Sequence, residues 1–166
     1  GQLPIVWSKA EGHSLFDIAG NKFIDFTSTI FVANIGHSNT NLIKNLKKTL
    51  NKKLLHSYAY LNSSREKYLK NLVKFAGKNF DKAFLMSAGT EATEAALKLM
   101  RLHGQKLKKR KLGIIFIDGN WHGRTMGAQM MGWSPEQKEW IGYLVPNIYH
   151  IPFPYKHIIK DKDPKK

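Results

Sequence analysis

Ser87-Ala88-Gly89-Thr90-Glu91-Ala92-Thr93-Glu94-Ala95-Ala96-Leu97-Lys98 joins a turn of small residues to a run of strong helix formers. The first amides of a helix lack intrahelical acceptors, and the macrodipole adds partial positive charge there. Gly89 lets a ligand approach the backbone, and Thr90 adds a hydroxyl without blocking the way. A phosphate is the guest such a turn suits. Ser and Thr at a helix start also serve as ordinary caps, so the stretch alone leaves both readings open. A second stretch, Asp118-Gly119-Asn120-Trp121-His122-Gly123-Arg124-Thr125-Met126-Gly127-Ala128, places an aromatic ring and a guanidinium three residues apart among glycines. A ring of that kind offers a stacking face, and a guanidinium fork fits a carboxylate bidentately.

The elements before each stretch decide where these groups point. Ala83-Phe84-Leu85-Met86 reads as a buried strand. Gly113-Ile114-Ile115-Phe116-Ile117 is short and rich in β-branched residues, and reads as a strand buried on both faces. Between them the apolar spacing predicts one helix of about four turns. The outcome is a βαβ unit with parallel strands, both chemical stretches sitting at strand carboxyl ends, where open α/β sheets bind ligands. A short helix over 124–132 and a strand near 147–151 follow.

On these residues the chain resembles the class III pyridoxal-phosphate aminotransferases, the family of the acetylornithine, ornithine and 4-aminobutyrate enzymes. Residues 87–101 are similar to its Asn-Ser-Gly-Thr-Glu-Ala-Asn-Glu-Ala-Ala-x-Lys-x-Ala-Arg signature, and 119–128 to its Phe-His-Gly-Arg-Thr-Leu-Gly-Ala block. Leu15-Phe16-Asp17, Asp25-Phe26 and Gly36-His37-Ser38-Asn39 resemble its opening hairpin and Gly-His element. The resemblance implies fold type I, an α/β architecture with a mostly parallel sheet covered by helices. It implies an amino-terminal segment over 1–75, part small domain and part dimer contact, and the truncated first part of the coenzyme-binding large domain over 76–166. It implies a pyridoxal 5'-phosphate coenzyme, its phosphate held by Gly89 and Thr90 and its ring stacked on Trp121. Ser87 and Ala88 stand where the family usually has Asn and Ser, removing a hydroxyl beside the phosphate. Arg124 matches a position that meets substrate carboxylate in several members, with a salt bridge to a local acid as the structural alternative. Ile30 falls in a stretch that lines the substrate pocket in relatives. His122 reads as structural.

The implied reaction is transamination between an amino acid or ω-amine and a 2-oxo acid, in a cytoplasmic homodimer. Family members are much longer, so the chain resembles an amino-terminal fragment. The Schiff-base lysine and the partner of the pyridine nitrogen lie outside it, and the fragment alone is expected to be inactive. An aminomutase or decarboxylase would use the same grip.

Composition bounds the alternatives. The chain has 166 residues, 42% of them hydrophobic, enough for one real core and too many for a disordered chain. The longest apolar run is far short of the ~20 residues of a membrane span. There are no cysteines, which rules out disulfides and thiol chemistry within the chain and fits a cytoplasmic origin. The seven histidines show no metal-ligand spacing, so no metal is assigned. Net charge is +15, from 27 Lys and Arg against 12 Asp and Glu, which raises a basic nucleic-acid-binding protein as a second class. The densest cluster, 105–111, reads as a solvated connection that complements a helix carboxyl end. The other lysines spread over every predicted helix, without an aromatic-interleaved motif, which argues against nucleic acid.

Toward the amino terminus, 13–26 alternates around Ala19-Gly20-Asn21-Lys22 and predicts a β-hairpin with a Gly-Asn turn. Residues 40–50 put Leu42, Ile43, Leu46 and Leu50 on one helical face. Ser63-Ser64-Arg65-Glu66 predicts a capping box opening a helix to Ala76, with Tyr68, Leu69, Leu72, Val73 and Phe75 buried.

Overall fold

The computed structural model describes residues 4–57, 60–107, 112–143 and 145–155. Residues 108–111 of the basic cluster and the polar tail 160–166 lie outside the described residues. The fold is α/β, with an antiparallel sheet near the amino terminus and a parallel pair later. The chain divides into two compact units, 1–71 and 72–166.

The first unit is built on a three-stranded antiparallel sheet, β1 (Trp7–Glu11), β2 (Ser14–Asp17) and β3 (Lys22–Ile24), in sequence order. Glu11 pairs with Ser14, so Gly12 and His13 form the two-residue turn of the first hairpin. The expected hairpin at 13–26 is present, but its turn is not Gly-Asn. The ladder closes at Phe16–Lys22, the Asp17 amide donates to the Asn21 carbonyl at 3.1 Å, and the loop is Ile18-Ala19-Gly20. The Asp17 carboxylate sets this position by accepting from the Ala19 and Asn21 amides and from Asn21 Nδ2 at 2.8–3.0 Å, and Gly20 supplies the positive φ of 85°.

Next comes α1 (Ser28–Phe31), a single turn wound left-handed, with φ of 48°, 53°, 60° and 68° at Ser28, Thr29, Ile30 and Phe31. Helix α2 (Thr40–Leu50) starts at Asn39, whose side chain accepts from the Leu42 amide at 3.0 Å. Helix α3 (Ser63–Ala76) has the predicted bounds but a different cap. Asn62 Oδ1 accepts from the Ser64 and Arg65 amides at 3.0 and 3.2 Å, while Glu66 is drawn into a 2.7 Å ion pair with Lys70. The apolar face of α3 is not buried as expected: Tyr68 and Phe75 are exposed and Leu69, Leu72 and Val73 are half-buried. Leu42, Ile43, Leu46 and Leu50 of α2 are exposed as well.

In the second unit the long helix α4 (Gly89–Lys106) runs about five turns. Strand β4 (Ile114–Ile117) pairs in parallel with β5 (Ile148–Ile151), Ile114 opposite Ile148 and Ile117 opposite Ile151. The segment 83–86 is not a strand, because no strand among the described residues pairs with it. Phe84, Leu85 and Met86 are exposed, and the parallel partner of β4 is β5 rather than 83–86. Nor is β4 covered on both faces. Ile114 and Phe116 are buried and Ile115 and Ile117 exposed, so the core of the unit forms on one side only, from Leu97, Ile114, Phe116 and Met131. Between β4 and β5 lie α5 (Met126–Met130), shorter than predicted, and a 3₁₀ helix (Glu136–Ile141). Trp140 Nε1 donates to the buried Gln129 Oε1 at 2.7 Å and ties the two together.

Candidate active site

The start of α4 has the geometry of an anion cradle. Ala88 is the cap residue in an extended conformation (φ −149°, ψ 166°) and offers no side-chain acceptor. The amides of Gly89, Thr90 and Glu91 precede the first intrahelical bond, which runs from the Ala92 amide to the Ala88 carbonyl at 3.0 Å. Glu91 folds its carboxylate back onto the Ser87 amide at 2.9 Å. Gly89 has open space where a Cβ would stand. Oriented donors beside an unfilled approach are what a phosphate group requires.

One face of α4 carries the second stretch. Thr90, Glu94 and Leu97 recur at helical spacing on that face, and Gly123 and Gly127 recur four residues apart opposite them. A Cβ on Gly123 would lie 2.3 Å from Thr90 Oγ1 and 2.6 Å from its Cγ2. A Cβ on Gly127 would lie 2.3 Å from Glu94 Oε2 and 2.9 Å from Leu97 Cδ2. Glu94 Oε1 accepts from Thr125 Oγ1 at 2.5 Å and from the Ala128 amide at 3.0 Å. Gly123, Gly127 and Ala128 are buried by this contact and Glu94 is half-buried. The two stretches thus meet, and the glycines are there because the backbone of one lies on the side chains of the other.

Trp121 and Arg124 flank the contact. The indole is 59% exposed, and the Arg124 guanidinium carbon sits 5.4 Å from its ring centroid. Arg124 is exposed and pairs with no carboxylate among the described residues. His122 is half-buried with its ring edge against the buried Phe116, 6.4 Å between centroids. Ile30 belongs to the first unit, where it is 77% exposed within α1. That turn is held by Asp25, whose carboxylate accepts from the Thr27 amide and hydroxyl, the Thr29 hydroxyl and His37 Nε2 at 2.8–3.1 Å. The His37 bond, with help from the threonines, keeps the Asp25 carboxyl well below the usual carboxylate range.

A second polar group joins the start of the second stretch to β5 and the 3₁₀ helix. His150 Nδ1 donates to Asp118 Oδ1 at 2.9 Å, which leaves Nε2 to accept from Lys138 Nζ at 3.3 Å. Lys138 and His150 both lie against the Phe116 ring and line a cavity of about 640 Å³ that Trp133 and Tyr143 also wall. Burial pulls the Lys138 ammonium below the ordinary lysine range, and the charge of Asp118 opposes that shift.

The structure brings Gly89, Thr90, Trp121 and Arg124 onto one contact and leaves Ile30 in the first unit; Glu94, which that contact also uses, was not foreseen from the sequence. A glutamate on a helix reads as a solvated charge. The available signal was its spacing, four residues after Thr90 and three before Leu97 on the inward face.

Comparison with known proteins gives the family and the fold. The sequence matches the aminotransferase class-III family over residues 1–166. It is 36% identical over 166 residues to an acetylornithine aminotransferase of Clostridium acetobutylicum, covering 98% of this chain and 42% of that protein. It is 34% identical over 149 residues to an ornithine aminotransferase of Emericella nidulans, covering 88% of this chain and 32% of that protein. The chain thus spans about two fifths or less of the length of these relatives. Among solved structures, an ornithine aminotransferase from Toxoplasma gondii superposes with a TM-score of 0.82 at 25% identity, covering 92% of this chain and 37% of the other. An (S)-enantioselective omega-transaminase from Thermomicrobium roseum gives a TM-score of 0.85 at 22% identity, covering 97% and 37%, a likeness of fold.

Proposed function

The chain belongs to the class-III aminotransferases, and from that premise we propose that the whole protein moves an amino group from an amino acid or ω-amine to a 2-oxo acid with pyridoxal 5'-phosphate as coenzyme. The observation that carries this reading is the contact of Gly123 with Thr90. It brings a loop with an exposed indole and a guanidinium against a helix start with open amides. A phosphate-bearing aromatic coenzyme needs both features in one place.

Bound pyridoxal 5'-phosphate supplies the carbonyl group and electron sink that protein side chains lack. The residues here would bind and orient it. The amides of Gly89 and Thr90, with the Thr90 hydroxyl, would take the phosphate, and Trp121 would cover one face of the ring. Because Ala88 carries no hydroxyl, the backbone amides would provide most of the phosphate grip. Arg124 would receive a substrate carboxylate, its guanidinium lying over the indole ring and uncommitted to any acid among the described residues. Ile30, held out by the Asp25-braced turn, would present an apolar side chain to the substrate tail. The reading extends to a homodimer and a cytoplasmic location, both of which rest on the resemblance of the sequence motifs to the family.

The test is spectroscopic. Pyridoxal 5'-phosphate added to the full-length protein is expected to give a visible absorbance band that borohydride bleaches. In a separate sample that has not met borohydride, an amino donor should remove the band, and a 2-oxo acid should restore it. A decarboxylase or aminomutase would not show restoration that depends on the 2-oxo acid. A protein that takes up no coenzyme would end the proposal.

A further inference from the structure

We propose that Glu94 is a positioning residue that sets the distance between the phosphate cradle and the ring-stacking and carboxylate-binding side chains. This inference rests on the coenzyme reading above and adds to it. Four observations converge. Glu94 lies one turn past Thr90 on the same face of α4, so it is rigidly referenced to the cradle amides. Its Oε1 atom takes two donors from the facing segment, the Thr125 hydroxyl at 2.5 Å and the Ala128 amide at 3.0 Å. Thr125 directly follows Arg124, and Trp121 lies four residues before it. Gly127 leaves out a Cβ that would push the carboxylate off this segment, since a side chain there would collide with Glu94 Oε2.

The arrangement works as a two-point clamp. Thr90 against Gly123 fixes one end of the segment by packing, and Glu94 against Thr125 and Ala128 fixes the other by hydrogen bonds. Between the two points lies Arg124. Packing alone would let the segment pivot about Gly123, whose φ of +128° belongs to a flexible glycine conformation. The carboxylate stops that pivot, because an amide and a hydroxyl three residues apart in the chain must reach one oxygen. What the clamp requires is an acceptor at that point, more than a charge.

This predicts a pattern that loss of stability alone would not give. In the full-length protein, Glu94→Ala removes the acceptor, and its dissociation constant for pyridoxal 5'-phosphate should rise by about 10- to 100-fold, on the scale of two hydrogen bonds to a carboxylate. The visible circular dichroism of the bound coenzyme should change, because the ring loses its fixed orientation. Glu94→Gln keeps an oxygen that can accept both donors, and should stay within about threefold of the parent with the parent's dichroism. Thr125→Val removes one donor only and should weaken binding by about 3- to 10-fold. If Glu94→Ala fails to fold, Thr125→Val decides alone. The proposal is overturned if Glu94→Ala or Thr125→Val retains the parent affinity and dichroism, or if Glu94→Gln is as damaging as Glu94→Ala. A parent protein that binds no pyridoxal 5'-phosphate would instead overturn the coenzyme reading itself, before any variant is compared.

Discussion

Gly123 lies so close to Thr90 that a single added methyl would sit 2.3 Å from the threonine hydroxyl oxygen and 2.8 Å from its Cβ. Threonine is stiff at χ1, so its side chain cannot swing away cheaply. The φ of +128° at Gly123 is also one that an L side chain rarely adopts. Gly123→Ala should therefore cost about 2–4 kcal/mol from overpacking and backbone strain together. It should weaken coenzyme retention in parallel, because the two stretches would be pried apart. Thermal melts and coenzyme titration of the full-length protein check this; a variant with unchanged affinity would mean that the contact does not support the site.

Arg124→Ala should separate two functions. If the guanidinium receives a substrate carboxylate, its loss removes a charge-assisted bidentate bond of about 1.5–3 kcal/mol and raises KM for carboxylate substrates by about 10- to 100-fold. Coenzyme retention should change little, since an exposed contact with the Trp121 ring is worth about 0.5–1 kcal/mol. Steady-state kinetics beside coenzyme titration read the split. An equal loss of both would contradict the assigned role.

The Asp25–His37 pair predicts a response to acid. The Asp25 carboxyl is held below its value in an unfolded chain, which is about 3.9. Its contribution to stability is therefore present in full above that value and is lost as the pH falls toward the folded-state value. Melting temperature should drop between about pH 4 and pH 2, and Asp25→Asn should flatten that part of the profile while lowering stability at neutral pH. A variant that keeps the parent's slope would show that other carboxylates govern acid unfolding.

For α3 the structure names Asn62 as the cap. Asn62→Ala should cost about 1 kcal/mol, whereas Ser63→Ala should stay within about 0.5 kcal/mol of the parent. Denaturant unfolding of both variants distinguishes them, and the reverse order would restore Ser63 as the capping residue.

What could be read from the sequence follows what the physics makes local. Helices α2 and α3 announced their bounds because apolar residues recur every three or four positions and Asn or Ser stands at each start. The opening of α4 and the position of β4 were legible for similar reasons, a turn of small residues and a run of β-branched ones. Strand β1 was not, because Trp7-Ser8-Lys9-Ala10-Glu11 carries little apolar pattern, and its pairing with β2 from Trp7–Asp17 to Glu11–Ser14 is made by the backbone. The second hairpin turn was misplaced because the Asp17 side chain chooses it, and dipeptide rules do not see that chain of hydrogen bonds. Burial of α3 and of both faces of β4 was overcalled. Periodicity tells which face of an element is apolar, and only a neighbouring element can cover it. Glu94 escaped notice since its partners are 31 and 34 residues away, beyond the reach of any local pattern. The motifs singled out Gly89, Thr90, Trp121 and Arg124 by residue type and spacing, and the hydrogen bonds of Glu94 lay outside what spacing can show.

The bridge between Gly12 and His37 has a bearing on how the molecule comes into being. Each residue donates its amide to the other's carbonyl, at 3.0 and 2.7 Å, and Ser38 reaches back 28 residues to the Ala10 carbonyl. These ties join the left-handed turn to the first hairpin using nothing later than residue 38. Loops of that size close at modest entropic cost, and a nascent chain explores its earlier portion first. The braced turn that carries Ile30 can therefore close during translation, before any residue of the second unit has been made.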